Sequence, residues 1–394
     1  MTPQRMDELI ACYRDGLLDD TLTFWMRHAV DRECGGFLVC LDRDGALLDT
    51  DKGMWAQARF TWLLATLVNT VERRDEWLDL AAHGVDFIRR HGFDDDGRMF
   101  FIVTRDGRPV RKRRYVFTET FTCMALAAYA RASGDARAAD EARGLWDLFR
   151  KYMTEPGLIE PKTDPATRPA KAMSERMITI ATAQVLRQTL DTDEYNGVID
   201  ACIDEIRRDF LKPDLQAVME IVSPDGRIID HFDGRTLNPG HAIECAAFIL
   251  HEARHRGGDA ELVRLGTTIL DWMWRRGWDA RYGGILYYRD LYDKPVQEYW
   301  HDMKFWWPQN EAIIATLLAY RVTGDEKYAE WHAMGHDWAH EYFPDPVHGE
   351  WFGYLHRDGR LSVPLKGNIW KGPFHVPRMQ WTCWQLLEEM KAEA

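Results

Sequence analysis

The chain has 394 residues, of which 46% are hydrophobic, enough for a sizeable core. Acids outnumber bases 63 to 50, and the formal net charge of −13 argues against a nucleic-acid partner; the one basic run, Arg111-Lys-Arg-Arg114, reads as a solvated loop edge. Seven scattered cysteines with no CxxC pair argue against a disulfide framework. A polar N-terminus and the lack of any apolar run near the ~20 residues of a membrane span predict a cytoplasmic protein with no membrane partner.

In chain order, apolar residues at helical spacing predict a helix near Arg5–His28, then Trp55–Val71, Trp77–Ile88, Phe117–Arg131, Ala139–Tyr152 and Met173–Leu190. Further helices are predicted at Val198–Phe210, Ala242–Ala253, Leu262–Trp274, Phe305–Tyr320, Ala329–Ala339 and Val376–Met390. Between them a Gly-aromatic segment with a polar turn returns: Gly35–Gly45, Gly97–Gly107, Met219–Gly226, a looser Gly283–Asp290, and Gly349–Gly359. The turn glycines 45, 107, 226 and 359 are 62, 119 and 133 residues apart, one or two units of roughly 60–66. A missing third copy is expected near Gly157-Leu-Ile-Glu160. Asp-Gly between alternating apolar residues predicts a hairpin in each unit. Six hairpins and twelve helices imply an all-α, (α/α)6 barrel spanning residues 1–394 as a single domain, with the hairpins at one mouth. An open solenoid is the weaker alternative, because neither terminal unit reads as a polar cap.

Two histidines stand where loops enter helices. His241, in Leu237-Asn-Pro-Gly-His-Ala-Ile-Glu244, follows a Pro-Gly helix start. Glu244 lies one turn on, on the same face, where a carboxylate orients an imidazole and raises its basicity. His375 sits in a loop with two Gly, two Pro and three cations, Lys366–Arg378. Taken singly, His241 reads more readily as a structural histidine at a helix start, and the alternative for His375 is a capping loop; as a pair at one barrel mouth they suit acid–base chemistry. Arg59 and Arg235 read first as salt-bridged surface residues; inside a barrel mouth either would instead bind oxygens bidentately. Glu119 and Glu311 lie inside apolar helices, where a buried structural partner and a sugar contact are equally good readings. Trp306, Trp307, Trp351, Tyr354 and Trp370 stand beside turns or helix starts, and aromatic faces there suit the C–H faces of a sugar. His-x-x-Glu lacks a second ligand pair for a metal, and no P-loop, GxGxxG or GxSxG is present.

Four strings, Gly234–Glu244, Lys304–Ala312, Gly349–Tyr354 and Lys371-Gly-Pro-Phe-His-Val-Pro-Arg378, closely resemble the N-acylglucosamine 2-epimerase (renin-binding protein) family. Lys52–Arg59 and Phe117–Phe121 resemble its earlier motifs, so that the likeness runs in order over roughly residues 30–390. The resemblance implies an (α/α)6 barrel, a sugar substrate epimerised at C2, and a homodimer. It implies His241 and His375 as the acid/base pair, Arg59 on the carbonyl or enediolate oxygen, and Arg235, Glu244, Glu311 and Trp307 around the sugar, with Glu119, Trp370 and Arg378 as further contacts. No metal or redox cofactor is required; ATP is an effector of some members, but no nucleotide site is visible in this sequence. The interior of the last loop, Asn368-Ile-Trp370, and Ser174-Glu-Arg176, with a bulky cation, depart from the family and leave the exact sugar open. The alternatives are an aldose–ketose isomerase or an epimerase of unacylated sugars, a glycoside hydrolase using two of Glu119, Glu244 and Glu311, and a non-catalytic sugar-binding protein.

Overall fold

Two kinds of helix alternate along the chain. One kind is small and apolar on every face, as in Phe117–Ser133, where alanine and threonine allow close approach all round. The other is amphipathic, as in Asp75–His91, which buries Trp77, Leu80, Ala81, Gly84, Val85 and Ile88 at helical spacing and exposes charge on its far side. The first kind must be buried on both sides and the second on one side only, which prescribes two concentric layers.

The computed structural model describes residues 1–393 and realises that arrangement. Helix α1 (Pro3–Asp15) continues through a π-helical turn, Gly16–Thr21, into Leu22–His28. There follow α2 (Met54–Thr70), α3 (Asp75–His91), α4 (Phe117–Ser133), α5 (Ala136–Thr154), α6 (Met173–Leu190) and α7 (Asn196–Glu205). The series ends with α8 (Pro239–His255), α9 (Ala260–Gly277), α10 (Trp306–Thr323), α11 (Glu326–Tyr342) and α12 (His375–Glu393). The even-numbered helices form the inner ring, each touching the next. The ring closes where Trp62 of α2 meets Phe374 and Trp381, and where Trp381 Nε1 donates to Thr70 Oγ1 at 2.9 Å. Helix α1 packs outside α12. The fold is an (α/α)6 barrel, as the helix count and the repeat predicted. None of the described helices is long and apolar enough to cross a membrane.

Short strands lie ahead of four of the inner helices, and each pairs with a strand further along the chain. Lys52–Gly53 pairs with Phe100–Val103, Lys171–Ala172 with Ile221–Val222, Thr236–Leu237 with Arg289–Asp290, and Lys304–Phe305 with Tyr354–Leu355. The repeating turn glycines have a packing reason. A Cβ on Gly107, at φ +91°, would fall 2.1 Å from Nδ1 of His91 at the end of α3, and Gly359 sits in the same way on Tyr342 at the end of α11. Buried lysines recur too: Lys52, Lys304 and Lys366 pair with Asp31, Asp279 and Asp345, each just beyond an outer helix.

The hairpin count differs from the expectation: among the described residues two of the expected copies form strand hairpins, Phe100–Val103 with Pro109–Lys112 and Tyr354–Leu355 with Leu361–Val363, while the copies at 35–45, 219–226 and 283–290 keep only turns, isolated bridges or a pairing with a strand ahead of an inner helix. Residues 155–170 carry no strand, so the third hairpin is replaced by an irregular loop. Its Pro-rich composition, Pro156 through Pro169, removes ladder donors.

Candidate active site

A cavity of about 2020 Å³ runs along the barrel axis, from the strand-bearing mouth to the C-terminal ends of the inner helices at Thr70, His255 and Glu389. It exceeds the ~300–1,000 Å³ of an ordinary small-molecule pocket. The loop that replaces the third hairpin contributes Ile159, Lys162 and Arg168 to its rim.

Helix starts deliver the histidines. Asn238 caps α8 by accepting from the His241 backbone N–H at 3.1 Å, and Pro239 follows at the first helical position. Nδ1 of His241 is bonded to Glu220 Oε1 at 2.9 Å. His375 is the first residue of α12, and its Nδ1 is bonded to Glu311 Oε1 at 2.8 Å. In each pair the carboxylate takes Nδ1, leaving Nε2 for chemistry. The indole of Trp307 stands by both imidazoles, at 5.0 Å from His241 and 6.0 Å from His375. The loop leading to His375 is held by two buried lysines: Lys366 Nζ donates to Glu350 O at 3.0 Å, and Lys371 Nζ bonds Glu350 and, at 2.8 Å, Lys366 O.

Below the histidines Arg378 donates from one Nη2 to Glu244, at 3.2 Å, and to Glu311. Glu244, Glu311 and His375 bring ligand atoms within 4.8 Å of one another, a spacing that also suits a metal. Here the guanidinium of Arg378 bridges the two carboxylates. Arg59 is different. It is half-buried and enclosed by the rings of Trp55, Phe121 and Phe374 at 4.7, 4.0 and 4.5 Å, and its buried Nε has no hydrogen-bond partner. Burial pulls its pKa down to about 9, which leaves it cationic at neutral pH.

The environments push the two histidines apart. Burial disfavours the His241 cation, but Glu220, with Glu244 and Glu311 behind it, outweighs burial and raises the pKa to about 8. For His375 burial prevails over its bond to Glu311, with Arg59 and Arg378 adding to it, and the pKa falls to about 4. Burial, then the nearby Glu311 charge, lifts Glu244 to about 7. Glu311 feels burial too, yet Arg378 and His375 hold it below the usual carboxylate range.

Of the residues singled out from sequence, Arg59, His241, Glu244, Trp307, Trp370, His375 and Arg378 line the cavity, and Glu311 backs it through His375 and Arg378. Several expectations need correction. Glu244 does not orient His241; spacing puts the two on one helix face, but the strand Ile221–Val222 carries Glu220 to the imidazole, and Glu244 turns to Arg378. Arg235 is taken up by Asp290 at 3.0 Å and Asp230 at 2.9 Å, because pairing of Thr236 with Asp290 places that carboxylate beside it, and it does not line the cavity. Glu119 accepts from Arg98 Nε at 2.7 Å and from the Met99 backbone at 3.0 Å; it anchors the hairpin and not a sugar. Trp351 stacks on Phe343 in the core. Arg176 turns aside to Glu205, so the bulky cation does not fill the pocket. Sequence reasoning missed Glu220, Trp55, Phe121, Phe374 and His251, all of which line the cavity. For Glu220 the signal was a lone carboxylate in the apolar strand copy Met219-Glu-Ile-Val222.

With this geometry in view, comparison with known proteins is direct. Residues 35–375 match the family model N-acylglucosamine 2-epimerase (GlcNAc 2-epimerase). The N-acylglucosamine 2-epimerase of Bos taurus is 35% identical, over 98% of this chain and 94% of its own length, and that of Homo sapiens is 36% identical over 95% and 88%. Among solved structures, cellobiose 2-epimerase from Spirochaeta thermophila superposes with a TM-score of 0.84, covering 98% of each chain at 19% identity, which speaks for the fold alone. Motifs, barrel and near-full-length identity agree, and the chain belongs to the N-acylglucosamine 2-epimerase family.

Proposed function

We propose that the protein is an isomerase that interconverts N-acyl-D-glucosamine and N-acyl-D-mannosamine by inverting C2 of the open-chain sugar. One observation carries the reading: two carboxylate-oriented histidines, with pKa values displaced to opposite sides of neutrality, flank one indole in the cavity that also holds an unpartnered arginine. Paired titratable groups pushed apart in this way mark an acid and a base.

At neutral pH His375 is the neutral imidazole and His241 the cation. His375 Nε2 takes the C2 proton, and the C2–H electron pair moves toward C1 to give an enediolate. Arg59 donates to the developing oxyanion; having no hydrogen-bond partner of its own, it loses no other bond in doing so. His241 then delivers its proton to the opposite face of C2, and the new C–H bond completes the inversion. The reverse reaction uses the opposite protonation states. Glu220 and Glu311 hold the tautomers, and Arg378 keeps Glu311 charged. Trp307 offers an aromatic face to the sugar. No step is assigned to a metal, a redox cofactor or a nucleotide.

The choice of N-acylated sugar rests on the relatives at 35–36% identity. We also infer that residues 1–394 act as one catalytic unit, as a homodimer in the cytoplasm; seven unpaired cysteines favour a reducing compartment. A glycoside hydrolase is disfavoured by the site. Glu119 is committed to Arg98, and Glu244 and Glu311 are clamped on one guanidinium instead of facing each other across a gap.

The test is solvent exchange. In D₂O, N-acetylglucosamine and N-acetylmannosamine should gain deuterium at C2, followed by NMR, and each should yield the other. His241→Asn and His375→Asn should each lower turnover by about 10²–10⁴-fold with an unchanged circular dichroism spectrum. Absence of exchange with these sugars and with mannose, glucose and cellobiose refutes the epimerase. A ketose product would identify an aldose–ketose isomerase instead.

A further inference from the structure

On the outer wall, away from the cavity, α1 meets α11 in a cluster of one cysteine, one tyrosine and three histidines. None of these residues lines the cavity. The histidines His332, His336 and His340 recur every fourth residue and stand on one face of α11. Their proton positions follow from the backbone. His332 Nδ1 faces Ile313 O at 3.1 Å, so it must donate, and His332 Nε2 accepts from the Tyr13 hydroxyl at 3.1 Å. Tyr13, having donated there, accepts from His336 Nδ1 at 2.8 Å. His340 Nδ1 donates to His336 O at 2.9 Å. Each carbonyl and hydroxyl thus takes an Nδ1 proton, and the lone pairs of His336 and His340 are left on Nε2. Neither Nε2 has a hydrogen-bond partner among the described residues. The two rings lie 3.9 Å apart, centroid to centroid. Cys12, exposed on α1, brings its sulfur into the same space, and one ligand atom from each of Cys12, His336 and His340 lies within 4.8 Å of the others.

We propose that Cys12, His336 and His340 form a binding site for a borderline-soft divalent cation of the zinc class, with water as fourth ligand. Two histidines four residues apart on a helix face are a chelating pair, and a thiolate with two imidazoles is a ligand set that such an ion prefers over hard cations. A tetrahedral zinc site needs ligand atoms about 3.4–3.6 Å apart, within reach of side-chain rotation here. The carbonyl-fixed Nδ1 protons are the outer partners that orient metal-bound imidazoles. Binding exchanges the Cys12 S–H proton for the metal, and one proton leaves to solvent; the imidazoles have none to lose at Nε2. The bound ion ties the first helix to the eleventh, across more than 320 residues of sequence, and so braces the closure of the outer ring.

The probe is Co²⁺ added to chelator-treated full-length protein. We expect one equivalent to bind with a sulfur-to-cobalt charge-transfer band and the visible d–d bands of four-coordinate cobalt. Calorimetry in buffers of different ionisation enthalpy should find about one proton released per metal. Cys12→Ser should erase the charge-transfer band, His340→Gln should weaken binding at least tenfold, and neither should change epimerase turnover. Zn²⁺ should raise the melting temperature of the parent protein and not of the two variants. No cobalt bound at a few equivalents, or bands unchanged in Cys12→Ser, overturns the site. A zinc-induced rise in melting temperature that survives both substitutions does so as well.

Discussion

Replacing Glu220 by Gln isolates the interaction that makes His241 an acid. The substitution keeps the shape of the side chain and an acceptor for Nδ1 but removes the charge 2.9 Å from the ring. In the native site burial lowers the His241 pKa while Glu220, more than any other neighbour, raises it, with a balance at about 8 against an ordinary 6.5. Without that charge burial prevails, and the pKa drops to 6.5 or below. At pH 7.5 the cationic fraction then falls from about three quarters to less than about a tenth, a loss of about eightfold or more in the competent form. The sign is definite: a base whose pKa is raised in the native site donates its proton up to that pKa and stops above it. The kcat/KM profile of the parent should fall on an alkaline limb near 8, and in Glu220→Gln the limb should move to 6.5 or lower. Glu244, near 7, titrates in the same window, so the displacement of the limb carries the assignment and not its position in the parent. Glu220→Asp should recover part of the displacement. An alkaline limb that stays in place in Glu220→Gln, or a rate within twofold of the parent at pH 7.5, would refute the reasoning.

Three further outcomes follow from the same geometry. Arg59→Met should lower kcat by about 10²–10³-fold with little change in KM, and it should also raise the melting temperature, because it removes a half-buried guanidinium that hydrogen-bonds no carboxylate and whose desolvation outweighs the pull of Glu244 and Glu311; a lower melting temperature would show that Arg59 is structurally paired. Arg378→Met leaves the buried Glu311 and the partly buried Glu244 without their shared cation and should cost about 3–5 kcal/mol in chemical denaturation, with partial recovery as the pH falls and the carboxylates protonate. Gly240→Ala places a Cβ 2.8 Å from the Trp307 ring and 2.9 Å from Pro308; displacing the indole between the histidines should reduce kcat/KM by about tenfold or more, since misplacement by ~1 Å costs up to ~10²-fold, and steady-state kinetics on the soluble variant decides it.

Much of the architecture was legible in the chain. Helical periodicity and the returning Gly-aromatic turns prescribed twelve helices in two layers, because an inner helix must be apolar all round and an outer one on a single stripe. The helix starts at Pro239 and before His375 were legible for the same local reasons. The irregular loop at 155–170 was not, nor was the reduction of other expected hairpins to turns and single bridges: a repeat tolerates units without paired strands, provided the neighbouring helices still pack.

Amino-acid order by itself therefore determined the barrel, the placement of His241 and His375 at helix starts, and the family, since these depend on periodicity, capping and local strings. Only tertiary structure decided which carboxylate serves which base. Glu220 reaches His241 through an antiparallel pairing with residues 171–172, and Glu311 reaches His375 across 64 residues. It decided as well that Arg235 and Glu119 are spent on Asp290 and Arg98 while Arg59 keeps its cation free. The physical reason is that charge pairing and burial depend on distances between separate units of the ring, which spacing along a single helix does not contain.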